Sequence, residues 1–325
     1  MRYDDKDRES SNVEDRRGES GGFRFPRGGS PGGGGRIGIP FPVGRGGGMS
    51  ITTLLIIGGI MLMLGMNPLD LLREGGFDMP QFPQVEPGSR PASRNSPSIP
   101  GLPGQRTAQD KDEEEMRRFV GRVLADTEDV WRDVFKRMGR NYEEPQLVLF
   151  RGQVRSGCGF GQSEMGPFYC PLDRKIYIDL AFYDDLRRRF RAPGDFAQAY
   201  VIAHEVGHHI QLLLGIAERV QQEKQRNPQR ANEIQVRMEL QADCLAGMWG
   251  SLNDQIKKRL EPGDIEEALT AATAIGDDMI QKRTTGRVSP ESFTHGTSAQ
   301  RVAWFKKGFE AGQIGVCNTF APGSL

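Results

Sequence analysis

Val201-Ile-Ala-His-Glu-Val-Gly-His-His-Ile-Gln211 holds three of the chain's four histidines. His204 and His208 stand four apart, and Glu205 directly follows the first. On a helix, residues i and i+4 lie one turn apart on the same face. Two imidazoles so placed can grip one Zn²⁺, and the adjacent carboxylate can reach a water beside that metal. Ile202, Ala203, Val206 and Ile210 are apolar, so the helix is expected to be buried, and Gly207 lets a neighbour approach closely. Charged and imidazole groups inside such a helix are costly without a partner such as a metal. His209, five residues from His204, turns off the metal face.

A catalytic zinc needs a third protein ligand. No third histidine follows at close spacing, so the search passes to a carboxylate. Glu239, in Met238-Glu-Leu-Gln-Ala-Asp243, lies 31 residues beyond His208 on the next expected helix. A reversal between two packed antiparallel helices brings it to the metal. Asp243 sits one turn further along the same face, where it can accept the N–H of a zinc-bound histidine and raise that ligand's basicity.

Outward from this centre the composition changes sharply. Lys and Arg total 43 and Asp and Glu total 43, so no global field points to nucleic acid or to an acidic partner. Residues 1–48 lack an apolar period and become Gly-rich from Gly21, which reads as a disordered tail. Arg24, Arg27, Arg36 and Arg45 with Phe23 and Phe25 resemble a weak RNA-binding tail, but a solvated tether is the favoured reading and no nucleic-acid partner is expected. No charge occurs from Gly46 to Leu69, and residues 49–68 are read as a single transmembrane helix. Residues 69–105 are a Pro-rich linker. Arg36 and Arg45 flank the apolar segment without a nearby acid, which puts the tail in the cytoplasm and the following domain outside it.

Residues 106–325 form the expected globular domain. Phe119, Val120, Val123, Leu124, Val130, Trp131, Val134 and Phe135 recur at helical spacing up to Gly139. Gln146–Phe150 and Lys175–Leu180 read as short strands on either side of a Gly-, Cys- and Pro-rich loop. Helices are expected over 196–215, 231–252, 264–282 and 298–312. All four cysteines lie here: Cys158, Cys170, Cys244 and Cys317. An even count beyond a membrane span suggests disulfides, with Cys158–Cys170 and Cys244–Cys317 as one pairing among three. A four-cysteine zinc site and free thiols are the alternatives. Together the charge bias and the cysteines imply an extracytoplasmic domain, in the cell envelope or periplasm.

The wording of the domain is similar to that of the bacterial putative neutral zinc metallopeptidase family. The matching pieces are Ser156-Gly-Cys-Gly159, Gly166-Pro-Phe-Tyr-Cys-Pro171, Ile176-Tyr-Ile-Asp179, His204-Glu-Val-Gly-His-His-Ile-Gln211, Glu239-Leu-Gln-Ala-Asp-Cys244 and Thr294-His-Gly-Thr-Ser-Ala-Gln-Arg301. They run from about residue 110 to the C-terminus, whereas the tail and linker carry no likeness. HExxH with a downstream ExxAD is the gluzincin pattern of the prenyl-protease-like metallopeptidases.

The resemblance implies an α+β, zincin-like domain, mostly helical with a small sheet, behind a membrane anchor. It implies one Zn²⁺ per chain on His204, His208 and Glu239, with Glu205 as general base. His295 would then be the donor to the developing oxyanion, with a structural role at the start of the last helix as its alternative. Tyr169 is a further oxyanion candidate, and the strand of Tyr177 and Asp179 is a candidate edge for an added substrate strand. The function implied is that of a membrane-anchored endopeptidase acting on peptide or protein substrates. The alternative is a catalytically idle zinc-holding domain that binds envelope proteins or peptides.

Overall fold

The structure, a computed structural model, describes residues 1–19 and 108–324. In chain order the elements are β1 (Val13–Asp15), α1 (Ala108–Arg137), β2 (Gln146–Phe150), β3 (Gln153–Ser156), β4 (Gly159–Gln162), β5 (Phe168–Cys170) and β6 (Lys175–Asp179). Then follow α2 (Ala181–Arg188), α3 (Asp195–Leu213), α4 (Ile216–Arg226), α5 (Ala231–Lys257), α6 (Asp264–Ala274), α7 (Asp277–Thr284) and α8 (Ser298–Ala311). The mostly helical domain with a small sheet is therefore present.

Four strands pair in the order β1-β2-β6-β5, with β1, β2 and β6 parallel and β5 antiparallel to β6. Side chains alternate across the sheet, as pleating requires. Leu147, Leu149, Ile176 and Ile178 join the main core with the helices. Val148, Phe150 and Tyr177 face the other way and form a small second core with Val154 of the β3–β4 hairpin. The pattern explains why β2 reads as a continuous apolar run: both faces are covered.

Helix α3 is the spine. Every residue from Phe196 to Gly207 is buried. At Gly207 an added Cβ would lie 3.1 Å from the Cα of Ala242, so α3 and α5 cross with almost no side chain between them. Helices α5 and α8 cross closer still, because a Cβ on Gly308 would overlap the Cys244 carbonyl. These two crossings bring α5 between the histidine helix and the last helix. Cys244 of α5 is also joined to Cys317, and Cys158 is joined to Cys170.

The disordered tail expected over 1–48 fails for its first residues. Val13, Glu14 and Asp15 pair with Leu147, Val148 and Leu149 as a parallel strand. Arg8, Ser10 and Asn12 bond the buried Glu128 of α1. The Met1 ammonium lies 2.6 Å from Asp195 and 3.1 Å from Asp264. Composition did not reveal this segment because most of its contacts are polar, and Met1, Tyr3 and Val13, which pack on the core, are too few and too scattered to give an apolar period.

The transmembrane helix expected over 49–68 and the linker over 69–105 lie outside the described residues. Among the described residues no helix is long and apolar enough to cross a membrane. The β1–β2 pairing also overturns the single-pass arrangement. One crossing between residues 19 and 108 would put the two partners on opposite faces of a bilayer, where their backbones could not hydrogen-bond. The expected membrane anchor, the membrane as partner and the extracytoplasmic location fall with that arrangement.

A single helix over 264–282 is also corrected. The chain breaks at Ile275–Gly276 into α6 and α7. The break lets the Asp277 carboxylate accept the backbone N–H groups of Thr294, His295 and Gly296, at 2.7, 2.6 and 3.1 Å. The helical period ran through this point, but a tertiary contact outweighs it.

Candidate metal centre

The crossing of α3 and α5 places His204, His208 and Glu239 together. One ligand atom from each lies within 4.8 Å of the others. His204 Nε2 is 3.2 Å and His208 Nε2 is 3.4 Å from the same oxygen, Glu239 Oε2. Two ligands held about 2.0–2.1 Å from a tetrahedral zinc ion stand about 3.3 Å apart, so the spacing and the donor set fit that ion.

Each imidazole is also oriented from behind. His204 Nδ1 donates to Asp243 Oδ1 at 2.9 Å, which leaves Nε2 free for a metal. His208 Nδ1 donates to Gln211 Oε1 at 2.9 Å. The Gln211 amide is itself fixed, because its nitrogen donates to Met238 O and to Gln241 Oε1.

Asp243 is completely buried and fully partnered. Tyr200 donates to its Oδ1 at 2.5 Å, and Arg301 donates Nε to Oδ2 and Nη2 to Oδ1, both at 2.9 Å. Burial opposes its charge, but Arg301 and His204 outweigh burial and hold the carboxyl below its usual range. Glu239 is likewise held well below the usual range: burial opposes, and His208 and His204 prevail. Both carboxylates are thus ionised, Asp243 as the acceptor behind His204 and Glu239 as a candidate metal ligand. The second Glu239 oxygen accepts from Gln235 Nε2 at 2.6 Å.

Sequence reasoning assigned no role to Arg301, Tyr200, Gln211 or Gln235. Three of them were within reach of a spacing argument. Tyr200 is one turn before His204, Gln211 three residues after His208 and Gln235 one turn before Glu239. Arg301 had no such signal, because only the α5–α8 crossing makes it a neighbour.

The triad and Glu205 line a cavity of about 1400 Å³ that also takes in Tyr169, Lys224 and His295. His295 stands at the rim, 51% exposed, with Nδ1 3.2 Å from Asp277 Oδ1. Tyr169 is not free to act on an oxyanion, since its hydroxyl donates to His209 Nδ1 at 2.9 Å. His209 is buried and donates Nε2–H to Glu143 O at 2.6 Å, so it points away from the triad. Strand β6, with Tyr177 and Asp179, lies inside the sheet between β2 and β5, so it is no edge. Asp179 instead accepts from the backbone of Gly152 and Ala181. Among the described residues β5 is an end strand of the sheet, and its Phe168 and Tyr169 line the cavity.

A second acidic cluster, Asp195, Asp264 and Glu267, could also hold a cation. In this structure it receives the Met1 ammonium, and Glu267 accepts the Phe196 N–H at 3.1 Å.

A family model described as "Putative neutral zinc metallopeptidase" matches residues 1–320. The chain belongs to this family. The match begins at residue 1, so the N-terminal segment that pairs with β2 is part of the family's pattern and not an appended tail. The chain is similar to uncharacterized protein YpfJ of Escherichia coli (strain K12), with 48% identity over 314 residues, 96% of each chain. It is also similar to uncharacterized protein Mb2605 of Mycobacterium bovis, with 43% identity over 233 residues, 69% of this chain and 78% of that one. No solved structure matches the chain. For this zinc metallopeptidase family member, the donor set, its spacing and the buried acceptors behind it form a site suited to one divalent metal.

Proposed function

We propose that the chain is a zinc-dependent endopeptidase of the gluzincin type, with one Zn²⁺ per chain held by His204, His208 and Glu239. The catalytic unit we assign is residues 106–325 together with the N-terminal residues packed on them. The observation that carries this reading is the convergence of the three ligand atoms beside Glu205 on the wall of one large cavity.

When bound, the zinc ion supplies Lewis acidity, lowering the pKa of water and polarising a carbonyl. The chain's own residues do the rest. Asp243 keeps the Nδ1 proton of His204 in place, and Gln211 does the same for His208. Glu205 accepts a proton from the attacking water and returns it to the leaving amine. His295 lines the cavity with Nδ1 3.2 Å from Asp277 Oδ1, and we assign its imidazole as the donor for the developing oxyanion. The mostly apolar wall around Phe168, Phe182 and Phe190 excludes water and seats a large side chain of the peptide.

Digestion of an unfolded protein such as casein tests the reading. Cleavage that a chelator abolishes and added zinc restores supports it. A protein that holds zinc and binds peptides but leaves them intact contradicts it.

A further inference from the structure

The cavity over the triad has two unlike walls. One is apolar and aromatic, with Met165, Phe168, Leu172, Phe182 and Phe190. The other is α4, whose Glu218, Gln221, Lys224 and Gln225 line the cavity. The metal ligands lie on the same lining.

Lys224 is half-buried. Its ammonium donates to Gln235 Oε1, and Gln235 in turn donates to Glu239. Among the described residues its hydrogen bond goes to an amide and not to a carboxylate. Burial pushes its pKa down, and the field of Glu239 pulls it back up. The cavity's arginines are occupied otherwise. Arg174 pairs with Glu143, Arg189 with Asp185 and Arg301 with Asp243. Arg283 lies over the Phe190 ring and donates to Ala274 O.

The charges near the triad then leave a remainder. A divalent ion there would be balanced by Glu239 and Glu205, Glu218 on the same lining offsets Arg283 in the count, and the Lys224 ammonium adds one positive charge that forms no ion pair among the described residues. A partly dry cleft makes such a charge a strong attractor for an anion.

We propose that Lys224 is a substrate-binding residue that takes a carboxylate of the peptide, either an acidic side chain or a free C-terminus, while an apolar side chain sits on the facing wall. This rests on the peptidase reading of the same site. Gln235 holds the ammonium in position and links it to the ligand Glu239, so recognition occurs within reach of the reacting bond.

The test uses the full zinc-loaded chain and amidated peptides that share one apolar centre. A single Glu, or Gln in its place, is walked along both sides of the cleavage point, and one further Gln peptide carries a free C-terminus. At one position the Glu peptide, or else the free-acid peptide, is expected to show kcat/KM about tenfold higher than its neutral counterpart, mainly through KM. Which of the two does so identifies the source of the carboxylate. Lys224→Arg keeps the ratio, Lys224→Met brings it near one, and Lys224→Glu inverts it in favour of a Lys peptide, each compared at measured full zinc occupancy. Binding of the same labelled peptides to the Glu205→Gln chain, read by fluorescence anisotropy, gives the same order without turnover. Equal kcat/KM for all peptides, or a ratio that survives Lys224→Met, overturns the assignment. If no peptide is cleaved, the peptidase reading fails separately, and equal Kd values for Glu and Gln peptides overturn the Lys224 assignment on their own.

Discussion

Arg301 meets Asp243 through two parallel hydrogen bonds of 2.9 Å, and both side chains are buried. The pair ties α8 to the carboxylate that orients His204. Removing one partner of such a pair leaves an uncompensated buried charge. Arg301→Met is therefore expected to destabilise the fold by about 3–5 kcal/mol. Asp243→Asn keeps the volume but loses the anionic acceptor, and zinc affinity should fall about 10–100-fold. Competition against a chromogenic chelator measures this. An unchanged affinity in Asp243→Asn would detach the carboxylate from the metal site.

The metal-free chain should lose stability as pH rises. Burial disfavours a charged His204, but Asp243 and Glu239 outweigh it and push the imidazolium up to about 10. An unfolded histidine titrates near about 6.5. Because the folded value is the higher, the stabilisation is complete below about pH 6.5, declines above it and is gone beyond about pH 10. The slope in between approaches about 1.4 kcal/mol per pH unit. Urea midpoints of chelator-treated protein from pH 7 to 10 check this, and Asp243→Asn should flatten the profile. A flat profile in the unsubstituted chain contradicts the His204–Asp243 coupling.

The two disulfides should differ in weight and in ease of reduction. Cys158 and Cys170 are 12 residues apart, and Cys244 and Cys317 are 73 apart. Loop entropy then assigns about 3 kcal/mol to the first and about 4 kcal/mol to the second. Cys158 is exposed while Cys244 and Cys317 are buried, so a mild dithiol reductant should open the local bridge first. Mass mapping of alkylated cysteines after graded reduction reads the order. Earlier opening of Cys244–Cys317 would show that the α5 tether is not buried in solution.

Deleting residues 1–17 should weaken the fold through lost polar contacts as well as through the loss of Met1, Tyr3 and Val13 from the core. Glu128 is buried on α1 and would lose Arg8, Ser10 and Asn12 together. Water can reach the carboxylate once the segment is gone, so the expected loss is about 2–3 kcal/mol, less than for a sealed pair. A urea midpoint equal to that of the intact chain would show that the segment is not integral.

The sequence made the spine of the fold legible, because α1, α3, α5 and α8 carry long apolar periods with clear ends such as Gly139 and Gly312. His204, His208 and Glu239 were legible for a related reason: helical spacing turns residue order into geometry. Residues 13–15 were not, because a three-residue strand held by backbone pairing and ion pairs, with Val13 alone on the core, leaves no hydrophobic signature. Strands β3, β4 and β5 were hidden in a stretch where Gly152, Gly157, Gly159 and Gly161 mask the alternation. Arg301 stood inside a quoted motif without a role, since sequence does not say which arginine a helix crossing will bury. The 49–68 segment shows the opposite risk, where composition alone led to a topology that the β1–β2 pairing does not permit.

The central claim is that Glu205 performs the proton transfers of peptide hydrolysis beside a zinc ion on His204, His208 and Glu239. The most direct measurement is peptide turnover by Glu205→Gln at measured zinc occupancy. The expected result is about one zinc per chain with turnover reduced at least about 10²–10⁴-fold. Turnover near that of the unsubstituted chain, with zinc in place, would contradict the account.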